Sequence, residues 1–253
     1  MALDRRSQQR RWYGSISALV LGFGLVAIGI PAIPGPASAA TSVTPWPTAP
    51  DWHSYGQAPT NSAVCPVAVT STSGSVTGAA NLLCGGTGGA TLTATSGGAT
   101  PTIVLDYGKD VGGVPYFTVT SASGSPQLKA GYAESKRFLT ANGGEDPPWG
   151  EGDPARADSY TVTGAGTITN RFTQGGERYE ELTLTSPGTV SLSGVGITYI
   201  ADRTQASDYA GYFVSSSDQL NKIWYDSAYT AQLDSVPTGS LPGAWRIQMG
   251  TKL

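Results

Sequence analysis

The sequence predicts a mainly β protein, a two-sheet antiparallel jelly-roll-like sandwich followed by one C-terminal α-helix. Three observations lead there. From Ala63 onward, short runs rich in Val, Ile, Thr and aromatic residues recur, as half-buried strands require. Gly, Ser, Pro or Asn clusters separate those runs, and no helical repeat intervenes until Ser216, which argues for packed antiparallel sheets over a parallel α/β arrangement. Composition agrees, with 34 glycines and only 13% charged residues among 253. Regular alternation of apolar residues also argues against disorder.

At the N-terminus, Arg5, Arg6, Arg10 and Arg11 precede an apolar run over residues 16–30, and Ala37, Ser38 and Ala39 supply small residues. That order predicts an export signal over residues 1–39, cleaved after Ala39, and hence a secreted, extracellular protein with no membrane contact after cleavage. A retained anchor is the alternative, but Gly22, Gly24, Gly29 and Pro31 dilute the run below the ~20 apolar residues of a spanning helix. The paired arginines leave the general and the twin-arginine export routes both open. Residues 40–62 carry TPWPTAPDWHSYGQAPT, too rich in proline for a regular ladder and too aromatic for an idle linker, which predicts an extended arm packed on the domain.

The sandwich is expected over residues 63–215. Its segments are AVCPVAVTST, ATLTATS, PTIVLDYG, VPYFTVTSA, PQLKAGYAES, ADSYTVTG, GTITNRFTQ, RYEELTLTS and GTVSLSGVGITYIA. One long insertion, TANGGEDPPWGEGDPARAD, divides the fifth from the sixth. Cys65 and Cys84 are the two cysteines of a chain marked for an oxidising compartment. A disulfide between them is favoured over two buried thiols or a metal pair, since His53 is the only histidine and further ligands are wanting.

A helix is expected over residues 216–234, before an irregular tail over 235–253. Ser216 and Gln219 have capping-box spacing. Behind them Leu220, Ile223, Trp224, Ser227, Ala228 and Ala231 recur on one face, which must be covered. With no second helix after it, the segment reads as the opening of a helical domain that this sequence does not include.

Several function classes are disfavoured. A net charge of −3 gives no basic footprint for nucleic acid. No phosphate loop, zinc spacing or nucleophile elbow is present, so no cofactor or metal is expected. The lone His53 lies in the arm, which argues against a Ser/His/Asp mechanism. Glycoside hydrolysis needs two carboxyl groups, and Glu134, Glu145, Asp146, Glu151, Asp153, Glu177, Glu180 and Glu181 are available without a pair standing out. Glu134 shares strand parity with Leu128, Ala130 and Tyr132, so it should point inward and form a structural ion pair with Arg178, a catalytic role being the alternative. In the insertion, Trp149 beside Glu151 and Asp153 could stack on and bond a sugar, or hold calcium; a solvated acidic loop is the plainer reading.

The stretches LDYGKDVGGVPYFTV (105–119), GYAES (131–135), RADSYTV (156–162), QGGERYEELTL (174–184) and GYFVSSSDQLNKIWYDSAYT (211–230) resemble, in order and spacing, the bacterial α-L-rhamnosidase family of six-hairpin glycosidases. The resemblance covers about half the chain. It implies a β-sandwich that precedes an (α/α)6 barrel, with the last stretch as the first barrel helix. It also implies inverting hydrolysis of terminal α-L-rhamnose by carboxylates on the barrel. None of those catalytic positions has a counterpart here, so no catalytic residue is carried over and this chain alone is expected to be inactive. After Ser235, Val236 and Pro237, TGSLPGAWRIQMGTKL departs from the family's acidic, arginine-rich continuation. A stand-alone carbohydrate-binding module and a cell-surface structural sandwich are the alternatives.

Overall fold

The computed structural model describes residues 56, 58–139, 144 and 156–235. The chain separates into two units, residues 1–47 and 48–253, and the described residues belong to the second. The expected export signal, most of the arm and the tail beyond Ser235 lie outside the described residues.

Ten antiparallel strands and one helix make up the described fold: β1 (Ala63–Val64), β2 (Ala68–Ser73), β3 (Ser75–Thr77), β4 (Ala90–Ala94), β5 (Thr102–Ser123), β6 (Gln127–Ala133), β7 (Ala157–Thr161), β8 (Gly166–Thr169), β9 (Gln174–Leu184), β10 (Gly188–Tyr199) and α1 (Asp218–Leu233). The hydrogen-bonded order is β3-β4-β10-β5-β9-β6-β7, with β1 on β10 and both β2 and β8 on β5. The predicted mainly β class with a C-terminal helix is what forms.

One expectation changes at the centre. PTIVLDYG and VPYFTVTSA are not separate strands but the two ends of β5, which is 22 residues long. Its first part pairs with β2 and β9, its last part with β8 and β10. Between them Asp106 pairs with Tyr179 and Val111 with Glu177, so Tyr107, Gly108, Lys109 and Asp110 stand opposite Arg178 alone. Gly108 takes φ +80°, a conformation that costs a residue with a Cβ, so glycine suits this bulge. Ile103 and Leu105 from before the bulge then pack in one cluster with Phe117 and Val119 from after it. The two halves of the sheet therefore face one core, joined by a single bent strand.

That core draws alternate residues from each strand: Leu92 from β4, Leu128, Ala130 and Tyr132 from β6, Leu182 and Leu184 from β9, Val190 and Leu192 from β10, all within 2% of full burial. Fully burying an aliphatic side chain contributes about 1.5–3 kcal/mol, so these rows supply much of the driving force. β8 stops before NRFTQ because the Asn170 side chain accepts from the amide of Phe172 at 2.7 Å, an Asx turn that competes with the ladder. Gln174 then opens β9. Cys65 and Cys84 are joined in a disulfide, with Cα atoms 5.2 Å apart, which pins the start of the sandwich to the turn before β4.

The helix forms where expected but is capped one residue later. Ser217, not Ser216, is the N-cap, its hydroxyl accepting from the Leu220 amide at 3.4 Å. The covered face also differs from the expected stripe. Asn221, Tyr225, Tyr229, Gln232 and Leu233 are buried, whereas Leu220 and Ile223 are 50% and 51% exposed. Both stripes have helical spacing, and hydrogen bonding decides between them. Tyr229 finds a partner on β5, and Asn221 and Gln232 find theirs on the segment between β10 and α1, bonds that aliphatic side chains could not make.

Candidate functional site

The residues singled out from sequence do not converge. Trp149, Glu151 and Asp153 lie outside the described residues. Glu134 falls just beyond β6, where the strand parity that pointed it inward no longer applies, and its side chain is 55% exposed. Arg178 does not pair with it. The Arg178 guanidinium forks onto Asp106, Nε to Oδ1 at 2.9 Å and Nη2 to Oδ2 at 3.0 Å, while Glu134 stands 3.8 Å from Arg156. The exchange follows from the bulge: Arg178, opposite four residues of β5, is brought beside Asp106 at their edge.

A buried polar cluster occupies the interior just inside that bulge. Glu180 lies in register with Leu105 of β5 and Tyr132 of β6, and Tyr107 donates its hydroxyl to Glu180 Oε2 at 2.7 Å. Glu177, three residues earlier, is also fully buried, as are Gln174 and, at 2% exposure, Arg156. Arg156 donates to the Gln174 side chain at 3.2 Å and to the Gly175 carbonyl at 3.3 Å. Burial pushes Glu180 up to about 8, opposed by the Tyr107 and Tyr132 hydroxyls. Burial also raises Glu177 well above the usual carboxylate range, with the Arg156 charge opposing and Glu180 and Asp110 reinforcing it. Tyr107 and Tyr132 are pushed up by burial and then by Glu180, so both phenols keep their protons.

The same end of the sandwich seats α1. Tyr229 donates to the main-chain oxygen of Asp110 at 2.6 Å, and its ring shares an apolar cluster with Tyr107, Val111, Ile197, Tyr199 and Leu233. Gln232 accepts from the Tyr209 hydroxyl at 2.6 Å and donates to the Thr204 carbonyl at 2.7 Å. At the other end of the helix, Asn221 brackets the backbone of Ser215, accepting from its amide at 2.8 Å and donating to its carbonyl at 3.1 Å. Gly56 of the arm lies so close that an added Cβ would stand 2.4 Å from the Tyr225 carbonyl oxygen. Ala58, two residues on, joins the same cluster. Helix, arm and sheet are packed into one junction.

Chemically, this arrangement positions a helix. The two acids that come together, Glu177 and Glu180, are sealed from solvent and so cannot meet a sugar as they stand. Among the described residues no group of three or more His, Cys, Asp or Glu is placed to hold a metal. None of the helices among them is long and apolar enough to cross a membrane.

No family model matches the sequence, and no curated protein matches it. Among the solved structures that the chain resembles are two rhamnosidases. One is a GH78 family rhamnosidase of Bacillus sp. GL1, similar at TM-score 0.42 and 19% identity over 57% of this chain and 14% of that one. The other is a rhamnosidase from Klebsiella oxytoca with rhamnose bound, at TM-score 0.43 and 15% identity over 73% of this chain and 37% of that one. The chain thus spans well under half the length of either.

Glu177 and Glu180 stand among the acids of the sequence with no local pattern that singles them out. Residues three apart on a strand ordinarily face opposite ways, and only the bulge turns both inward. The signal within reach was glycine-rich DYGKDVGG, whose density of backbone-permissive residues marks a distorted strand.

Proposed function

We propose that this chain is the non-catalytic β-sandwich portion of a secreted α-L-rhamnosidase-like glycoside hydrolase acting on rhamnose-containing glycans, with α1 as the first helix of the catalytic α/α barrel. The observation that carries this reading is where the five resembling stretches meet. The first contributes Tyr107 and Asp110, the second Tyr132, the third Arg156, and the fourth Gln174, Glu177 and Glu180, all to the polar cluster at one end of the sandwich. The fifth carries most of α1, which docks at that end through Tyr229 and Asp110. Stretches scattered along the sequence thus act together to mount one helix. The flank of that helix bearing Leu220 and Ile223 is left for helical neighbours, as a barrel would supply.

In this reading the chain binds and orients, and the hydrolytic acids belong to the barrel. Incubating the purified 253-residue chain with p-nitrophenyl α-L-rhamnoside should give no release above background, whereas a polypeptide continuing into the barrel should hydrolyse it. Turnover by this chain alone would refute the assignment. The insertion carrying Trp149, Glu151 and Asp153 is the proposed place of any sugar contact on the sandwich itself. Rhamnose-dependent quenching of tryptophan fluorescence, lost in Trp149→Ala, would favour the stand-alone binding module instead.

A further inference from the structure

Glu177 and Glu180 are both turned into the interior, and their oxygens are poorly served there. Among the described residues no well-formed hydrogen bond reaches either carboxyl oxygen of Glu177, on which only its own amide has a weak pull, and Glu180 has the Tyr107 hydroxyl on Oε2 with the Tyr132 hydroxyl beside it. A fully buried carboxylate with so few donors is disfavoured in its ionised form, so this packing accommodates the acids with their protons on. Among the described residues the groups that face them are Tyr107 and Asp110 from β5, Tyr132 from β6, Arg156 ahead of β7, and Tyr229 from α1. Arg156 favours ionisation of Glu177, while Asp110 and the second glutamate oppose it. The burial-driven rise of both glutamates agrees with that balance.

On its β5 side this cluster is covered by α1, where Tyr107, the partner of Glu180, packs with Tyr229 and Leu233. Glu177 is in register with Val111, and the next residue, Gly112, lies against Leu233 of the helix, 3.5 Å from where a Cβ would sit. Val111 and Tyr107 pack with Tyr229 and Leu233 in one apolar cluster. Lifting the C-terminal half of α1 therefore uncovers the strand pair that holds Glu177. We propose that Glu177 and Glu180 form a proton-operated latch for α1, closed while both carry protons and released as those protons are lost. Release hydrates the carboxylates, so the ionised form has higher affinity for the open arrangement, which is what shifts the equilibrium. The junction between sandwich and helix is then tightest in mildly acidic medium and loosens through the neutral-to-alkaline range.

Amide hydrogen exchange of the full chain between pH 6 and pH 9, corrected for intrinsic exchange, tests this. With Glu180 near 8, the opening constant of the last two turns of α1 should rise about tenfold or more over that interval. The double variant Glu177→Gln/Glu180→Gln should keep those amides protected, with no rise. An α1 opening constant that is constant with pH in the unaltered protein overturns the latch, as does a rise that persists in the double variant. Exchange of α1 identical to that of the β10 core amides at every pH also overturns it, since the helix would then open only with the whole domain. The comparison of α1 with β10 needs the unaltered protein alone, and stands even where the double variant fails to fold.

Discussion

The hydroxyl of Tyr229 donates to the main-chain oxygen of Asp110 at 2.6 Å, tying the penultimate turn of α1 to the bulge of β5. The bond joins residues 119 apart in sequence, and the ring beneath it is 8% exposed. Tyr229→Phe keeps the ring and removes the bond, so it should lower unfolding free energy by about 1 kcal/mol. Tyr229→Ala also opens a cavity between helix and sheet and should cost about 3–5 kcal/mol. Urea denaturation of the three proteins checks both. Equal stability of the Phe variant and the parent would mean that the bond adds nothing net.

Arg178 and Asp106 form the fork at the outer edge of the same bulge. Burial alone would raise the Asp106 carboxyl, but the Arg178 bond, the Gly108 amide and the Arg178 charge hold it below its ordinary value of 3.8. The pair therefore stabilises the fold fully above that value, and the contribution is lost as pH falls through the lower folded-state value. Arg178→Met leaves Asp106 half-buried without its fork and should cost about 1–3 kcal/mol at neutral pH. Its stability should also fall less between pH 5 and pH 2 than that of the parent. Glu180 works in the other direction: its folded-state value of about 8 lies above the ordinary 4.5, so its contribution is fully present below 4.5 and is lost as pH rises through 8. A stability maximum on the acid side of neutrality follows, and chemical denaturation at a series of pH values locates it.

Cys65 and Cys84 close a loop with a sequence separation of 19. In the chain-entropy account, losing that link destabilises the domain by about 3 kcal/mol through the unfolded state. Melting in the presence and absence of reductant should separate by several degrees, and a paired Cys65→Ser/Cys84→Ser protein should match the reduced form. Coincident melts would show that the loop is held as well without the bond.

Leu220 and Ile223 lie on the outer flank of α1, close in sequence to exposed Tyr212 and Val214. The isolated chain should bind a hydrophobic dye or self-associate through this flank. Leu220→Lys/Ile223→Lys should abolish that behaviour at a cost within about 0.5 kcal/mol, because neither side chain contributes to the core. Sedimentation and dye fluorescence report the two effects separately. A monodisperse parent with no dye signal would argue that the flank needs no cover.

Much of the fold was legible in local pattern. Alternation placed Leu128, Ala130 and Tyr132 inside, and they are fully buried; capping chemistry located α1 within a residue. Glu134 shows where that reasoning stops, since parity extrapolated past Ala133 describes a strand that has already ended. The stripe of α1 shows a second limit. Leu220 and Ile223 satisfied helical periodicity as well as Tyr225 and Tyr229 did, and hydropathy alone ranks the aliphatic pair higher.

From residues alone came the β class, the cysteine pair, the existence of the helix and the ordered stretches that resemble a glycosidase family. These depend on neighbours in sequence, on period, caps and composition, all of which act over a few residues. Tertiary structure alone decided the partners of Arg178, the inward turn of both Glu177 and Glu180, and the face by which α1 docks. Each depends on a bulge in which four residues of β5 oppose one of β9, a register between strands some seventy residues apart that no local pattern encodes.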